Sequence, residues 1–162
     1  MIKKLAIILG SRSDLPKVED VIRRLREKYS DLTIDVHILS CHRNPIDTYT
    51  FVFTDNCKGA QAILYAGGKA FAAPGIIKAF IEAANLDIPV IGIALGEKDS
   101  KALNAAILSI EELPGTPVVM KEDGAAYVGP DGLEEAFERI VAGNLPALKK
   151  KAGKPPEFCI VI

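Results

Sequence analysis

The chain has two histidines, and only one of them stands where an imidazole can work on a ligand. His42 lies in Ser40-Cys41-His42-Arg43-Asn44-Pro45, between an apolar run and a proline suited to opening a helix. An imidazole there can give and take a proton near neutral pH, and the adjoining Arg43 guanidinium can grip a phosphate or carboxylate with two parallel hydrogen bonds. His37 alternates with Val36 and Ile38 and reads as part of a strand. Cys41 could be a nucleophile, but it has no activating partner nearby in sequence and reads as a small buried cysteine.

Two further segments have the same character. In Gly10-Ser11-Arg12-Ser13-Asp14, a glycine permits a tight turn, and the Ser11 and Ser13 hydroxyls with the free N–H groups of a coming helix could hold a phosphate. Asp14 could cap that helix or bind a ribose hydroxyl. In Ala66-Gly67-Gly68-Lys69-Ala70-Phe71-Ala72-Ala73-Pro74-Gly75, paired glycines and small residues let backbone come close to a flat ligand, where N–H groups could bind a carboxylate or CO2. Each segment has an ordinary explanation: a βα turn with a Ser or Asp cap, a solvated loop histidine, a flexible Gly-Gly connection. Three of them in succession are harder to dismiss. None is a P-loop, since no Gly-Lys-Ser/Thr follows, and none spells the dinucleotide pattern of three spaced glycines.

The elements between them explain why they would meet. Leu5–Leu9 is a continuous apolar run, and Val18, Val21, Ile22 and Leu25 share one face of a helix over Leu15–Lys28. The unit repeats as strand Thr33–Leu39, helix Pro45–Cys57, strand Ala62–Tyr65, helix Pro74–Ala84 and strand Val90–Ala94. Ala102–Ile110 reads as a short helix, Pro117–Met120 as a short edge strand, and Leu133–Val141 as a last helix opened by Asp131. Such alternation implies an α/β fold with a parallel sheet covered on both faces, whose ligands bind beyond the carboxyl ends of the strands. The loops after strands one to three are those ends.

Composition narrows the function. The 162 residues fit a single domain over 1–162, with 143–162 as a C-terminal extension that ends in the apolar Phe158–Ile162. Lys and Arg total 20 against 21 Asp and Glu, so no broad positive field favours nucleic acid or an anionic membrane, and an anionic ligand must be held locally. Cys41, Cys57 and Cys159 are widely spaced without a CxxC pair, indicating neither a disulfide framework nor zinc. The short N-terminal apolar run ends at Gly10 and no stretch approaches bilayer length, which reads as a soluble, cytoplasmic chain.

Taken together, ILGSRSD, SCHRNP and AGGKAFAAPG resemble the signature loops of the N5-carboxyaminoimidazole ribonucleotide mutase and AIR carboxylase family, which read approximately GSxSD, SAHRTP and AGGAAHLPG. The segment SIEELPGTPVV, Ser109–Val119, is similar to a later family segment, and the likeness runs in order from Leu5 to Val119. The resemblance implies a three-layer, flavodoxin-like doubly wound domain, assembled as an octamer, with neither metal nor redox cofactor. It implies transfer of a carboxylate from N5 to C4 of an imidazole ribonucleotide by way of CO2, the mutase branch being favoured by AGG and PG. The alternatives are the direct carboxylase, a paralogue acting on another aromatic nucleotide, and a nucleotide-binding module without catalysis. By the same resemblance His42 would shuttle the proton, Ser11 and Asp14 would bind phosphate and ribose, and Arg43 the phosphate. Ser40 and the Gly67-Gly68 backbone would line the carboxylate pocket, with Ser13, Lys69 and Phe71 beside them. Phe71 occupies the place of the family's second loop histidine, Lys69 is a charge foreign to the pattern, and KEDGAAYVGPDGLEEA stands where a later family segment would be.

Overall fold

A computed structural model describes residues 2–115 and 117–145. Five parallel strands, β1 (Lys4–Leu9), β2 (Thr33–Ile38), β3 (Ile63–Gly67), β4 (Val90–Ala94) and β5 (Tyr127–Val128), form one sheet in the order β2-β1-β3-β4-β5. That is a doubly wound order, in which the chain reverses direction of growth between β1 and β3. The helices are α1 (Leu15–Lys28), α2 (Pro45–Phe51), α3 (Asp55–Lys58), α4 (Ala73–Ala83), α5 (Lys101–Glu111) and α6 (Gly129–Val141).

Period-2 alternation along the buried strands divides the core in two. Leu5, Ile7 and Leu9 of β1 pack with Val18, Val21, Ile22 and Leu25 of α1 and with Leu133, Phe137 and Ile140 of α6. Ala6 and Ile8 point the other way, toward Ile77 and Ile81 of α4 and Ile110 of α5. Each of the α1 aliphatic side chains is nearly solvent-free, which is worth about 1.5–3 kcal/mol apiece. The outer edges of α1 and α6 are joined by Arg24–Glu134 at 2.9 Å and Lys28–Glu138 at 2.7 Å. Both pairs are solvent-exposed, so they orient the helices more than they stabilise them.

Three sequence expectations need correction. The helix expected over Pro45–Cys57 is split into α2 and α3, because Thr54 turns its hydroxyl to the Cys57 N–H and caps a new helix. Pro117–Met120 is not a strand: Pro117 has no N–H to give a ladder, and Val119 makes only an isolated bridge to Ile91. The fifth strand is instead Tyr127–Val128, paired through Ile93 and Ala94. The last helix also starts earlier than expected, at Gly129, with Pro130 in its first turn. Most of the expected C-terminal extension, including Cys159 and Phe158–Ile162, lies outside the described residues. Among the described residues, no helix is long and apolar enough to cross a membrane.

His37 sits in β2, as its alternation predicts, and its ring meets Phe51 edge-on with centroids 4.9 Å apart. Its Nε2 is buried, with no hydrogen-bond partner among the described residues. Burial pushes its pKa below the usual 6.5; the Asp35 carboxylate opposes this shift and the Lys4 ammonium adds to it. The unfolded chain therefore takes up a proton that the folded chain resists. The stability contribution is whole above about pH 6.5 and is lost as pH falls through that value toward the lowered folded pKa. His37→Leu, which keeps an apolar group against Phe51, should flatten the fall in melting temperature between about pH 7.5 and 5, as scanning calorimetry would show. An equally steep fall in the variant would refute this role.

Candidate functional site

Because every strand is parallel, the four βα loops after β1 to β4 gather at one end of the sheet. Between them lies a cleft of about 590 Å³, a volume suited to a small molecule. Of the residues expected from the sequence, Ser11, Ser13, Asp14, Ser40, His42, Arg43, Gly68, Lys69 and Phe71 all line it.

The first loop is a 3₁₀ turn over Arg12–Asp14, capped by Ser11, whose Oγ accepts from the Ser13 N–H at 3.3 Å and lies 2.8 Å from the Ser13 Oγ. Asp14 precedes α1, but its side chain does not cap it. Asp14 is buried, and its carboxylate pairs with the Lys17 ammonium, one turn on, at 2.9 Å. This pair holds a charge inside the rim of the cleft that would otherwise be costly to bury.

The second loop is braced from within. Asn44 Oδ1 accepts from the Ser40 N–H at 2.7 Å, and the Ser40 carbonyl accepts from the Arg43 and Asn44 N–H groups at 3.2 and 2.9 Å. Arg43 then reaches across, donating from Nη2 to the Gly10 carbonyl at 3.0 Å, so the first two loops are tied together. His42 is exposed on this braced turn. Cys41, beside it, is half-buried and hydrogen-bonded to Tyr65 and Thr48; burial pushes its thiol pKa up, which makes it a poor nucleophile. The Tyr65 hydroxyl in turn donates to the Leu39 carbonyl at 2.6 Å.

The third loop is shaped by close approaches. The Phe71 ring is 5% exposed and lies edge-on to Tyr65, centroids 5.2 Å apart. A Cβ on Gly67 would stand 2.4 Å from that ring, and one on Gly10 would stand 3.1 Å from it. Gly67 itself, expected to line the carboxylate pocket, does not line the cleft: Phe71 covers it, and its carbonyl accepts the Leu95 N–H at 2.7 Å. Gly68 does line it, at a point where a Cβ would be 2.5 Å from the Leu95 carbonyl. Lys69 has φ 61° and donates its N–H to the Ala102 carbonyl at 3.0 Å.

Sequence reasoning stopped at three loops and missed the fourth. Leu95, Gly96, Glu97, Ser100 and Ala102 form a wall of the cleft, and Ser100 caps α5 by accepting from the Leu103 N–H at 3.1 Å. The signal was available, for Gly96 ends an apolar strand just as Gly10 does. Lys17, one helical turn into α1, also lines the cleft and was not expected. Among the described residues no group of three or more His, Cys, Asp or Glu is placed to hold a metal ion.

A doubly wound sheet with a cleft over its switch point, lined by hydroxyls, an imidazole, an arginine and two lysines, places these groups where folds of this class bind small molecules. Residues 4–129 match the family model for AIR carboxylase, and the chain belongs to that family. It is 36% identical over 151 residues to the N5-carboxyaminoimidazole ribonucleotide mutase of Pyrococcus horikoshii, covering 90% of this chain and 76% of that one. With the mutase of the same name from Pyrococcus abyssi it shares 29% over 154 residues, covering 93% and 80%. It is 33% identical over 113 residues to the phosphoribosylaminoimidazole carboxylase of Schizosaccharomyces pombe, covering 69% of this chain and 19% of that longer protein. In fold, it resembles the crystal structure of a single-residue variant of Treponema denticola PurE2 with a TM-score of 0.55 at 15% identity, covering 88% of this chain and 81% of that one.

The contact between Phe71 and the two glycines gives a direct test. Gly67→Ala should lower stability by roughly 1–3 kcal/mol, the usual cost of forcing a methyl into a filled space, measured by urea unfolding. Adding Phe71→Leu should recover part of that loss. A neutral Gly67→Ala, or no recovery in the double variant, would mean the ring does not dictate the glycine.

Proposed function

We propose that the chain is an N5-carboxyaminoimidazole ribonucleotide mutase of purine biosynthesis, moving a carboxylate from N5 to C4 of the imidazole. The observation that carries this reading is the convergence of Ser11, Ser13, Ser40, His42, Arg43 and Gly68 on one cleft in a chain of this family. In it the Ser11 and Ser13 hydroxyls and Arg43 hold the phosphate, Asp14 takes a ribose hydroxyl, and Ser40 with the Gly68 backbone borders the carboxylate. No resident cofactor enters the reading.

The chemistry then reduces to one proton. The N5–carboxyl bond breaks as CO2 leaves, and His42 supplies the proton that N5 acquires. The C4 carbon forms a bond to the same CO2, and His42, now the base, removes the C4 proton to restore the aromatic ring. Donor and acceptor states alternate on one imidazole, so the cycle needs no external acid. The Phe71 floor and the close Gly68 backbone keep water from the CO2.

His42→Asn should leave the fold and most ligand affinity intact while lowering turnover by about 10²–10⁴-fold. Arg43→Ala should raise KM more than it lowers kcat, because a phosphate grip is shared by ground and transition states. The deciding assay asks whether the purified protein interconverts the two carboxylated ribonucleotides without ATP or bicarbonate. A strict bicarbonate requirement would favour the direct carboxylase, and full activity in folded His42→Asn would overturn the proton route.

We also propose that the chain assembles with copies of itself, the octamer implied by the resemblance. Tyr49 and Phe53 of the α2 region, 46% and 47% exposed, stand edge-to-face with each other, and Tyr49 also meets Phe80 of α4, giving an aromatic face suited to burial. Light scattering that returned a monomer at every concentration would count against it.

A further inference from the structure

Three fixed cations line the cleft, and two of them are already engaged. Lys17 is paired with Asp14 at 2.9 Å, and Arg43 is tied to the Gly10 carbonyl at 3.0 Å. The third, Lys69, is exposed, and among the described residues its ammonium has neither an ion pair nor a hydrogen bond. Its backbone is at φ 61°, a left-handed conformation that glycine adopts readily and a side-chain-bearing residue resists. The loop is held there by the Lys69 N–H bond to Ala102 and by the Gly68 backbone pressed on Leu95. Strain of this kind gathers at ligand clamps. Lys69 thus brings to the cleft a positive charge with no ion pair among the described residues, beside the equally unpaired Glu97 carboxylate of the neighbouring wall.

We propose that Lys69 recognises the migrating carboxylate and makes the site discriminate carboxylated from uncarboxylated ribonucleotides; this rests on the mutase reading above. The sheet order places the first loop between the second and the third. A ring seated over the first loop therefore has His42 on one side and Lys69 on the other. The phosphate is held by Ser11, Ser13 and Arg43, which leaves the carboxylate, bordered by Ser40 and the Gly68 backbone, as the anion without a cationic partner. An ammonium on a four-carbon stem is a point charge that can follow a group between two positions, which the fixed fork of an arginine does less well. The carboxylate is anionic on N5 and again on C4, so Lys69 holds both ends of the reaction and not the neutral CO2 between them. Its loss should therefore appear mainly in KM.

The test is calorimetric titration of the full chain with 4-carboxy-5-aminoimidazole ribonucleotide and with 5-aminoimidazole ribonucleotide, for the parent, Lys69→Gln, Lys69→Arg and Lys69→Gly. Lys69→Gln should weaken the carboxylated ligand about tenfold, the scale of one charge-assisted contact, and the uncarboxylated ligand by about twofold at most. Lys69→Arg should recover most of the difference. Lys69→Gly should lose the discrimination while raising the melting midpoint by about 2–4 °C, as the strained conformation is relieved. Equal weakening of both ligands would assign Lys69 to the phosphate and overturn the proposal. Unchanged binding of both by Lys69→Gln would overturn it as well. A parent protein that bound neither ribonucleotide would instead refute the mutase reading, and the carboxylate role with it.

Discussion

The ring of Phe71 sits where the carboxyl ends of β1 and β3 diverge, pressed on Gly67 and close to Gly10, and much of the site depends on that seating. Two neighbouring parallel strands whose connections leave in opposite directions open a gap at their ends. A large apolar side chain fills the gap only if the backbone beneath it has no Cβ. The glycines meet that condition, and the edge-on contact with Tyr65 then fixes the ring's tilt. Tyr65 also holds the Leu39 carbonyl just before the second loop, so one aromatic pair sets the height of the third loop and the start of the second.

On this floor the polar groups are arranged largely by one another. Arg43 spans from the second loop to the first, Lys17 neutralises Asp14, and Asn44 closes the turn that carries His42. Each bond satisfies a group that a ligand would otherwise have to organise on arrival, which lowers the ordering cost of binding. His42 and Lys69 are left outside this internal bonding. Among the described residues they line the cavity still unengaged, as does the Glu97 carboxylate.

Family membership and local chemistry inform one another at the third loop. The resemblance places a histidine where this chain has Phe71, and the structure shows this Phe71 buried under the loop and packed against glycine. His37 cannot replace it, because it lies in β2 against Phe51. His42 is therefore the only histidine lining the cleft. The mutase reading consequently routes both proton transfers through one residue.

Most of the sheet, the first helix and three of the four site loops were legible in the sequence, because each depends on local pattern. Apolar runs of strand length, a 3.6-residue repeat over Leu15–Lys28, and glycine or proline at the junctions are properties of neighbouring residues. Most of the cleft-lining residues were legible for the same reason, since they cluster in the loops after buried strands. What tertiary structure alone decided involves how segments fold back on or pair with one another. Tyr127–Val128 is a strand only because β4 offers it an edge, and Gly67 is excluded from the cleft only because Phe71 folds back over it. The fourth wall around Glu97 and Ser100 exists because α5 starts beside the third loop. Lys69 already stood out in sequence as a foreign charge, but its left-handed φ and its missing partner were visible only in the structure. Pattern along a chain records which face of an element is buried, whereas pairing, covering and charge balance arise between elements and leave no periodic trace.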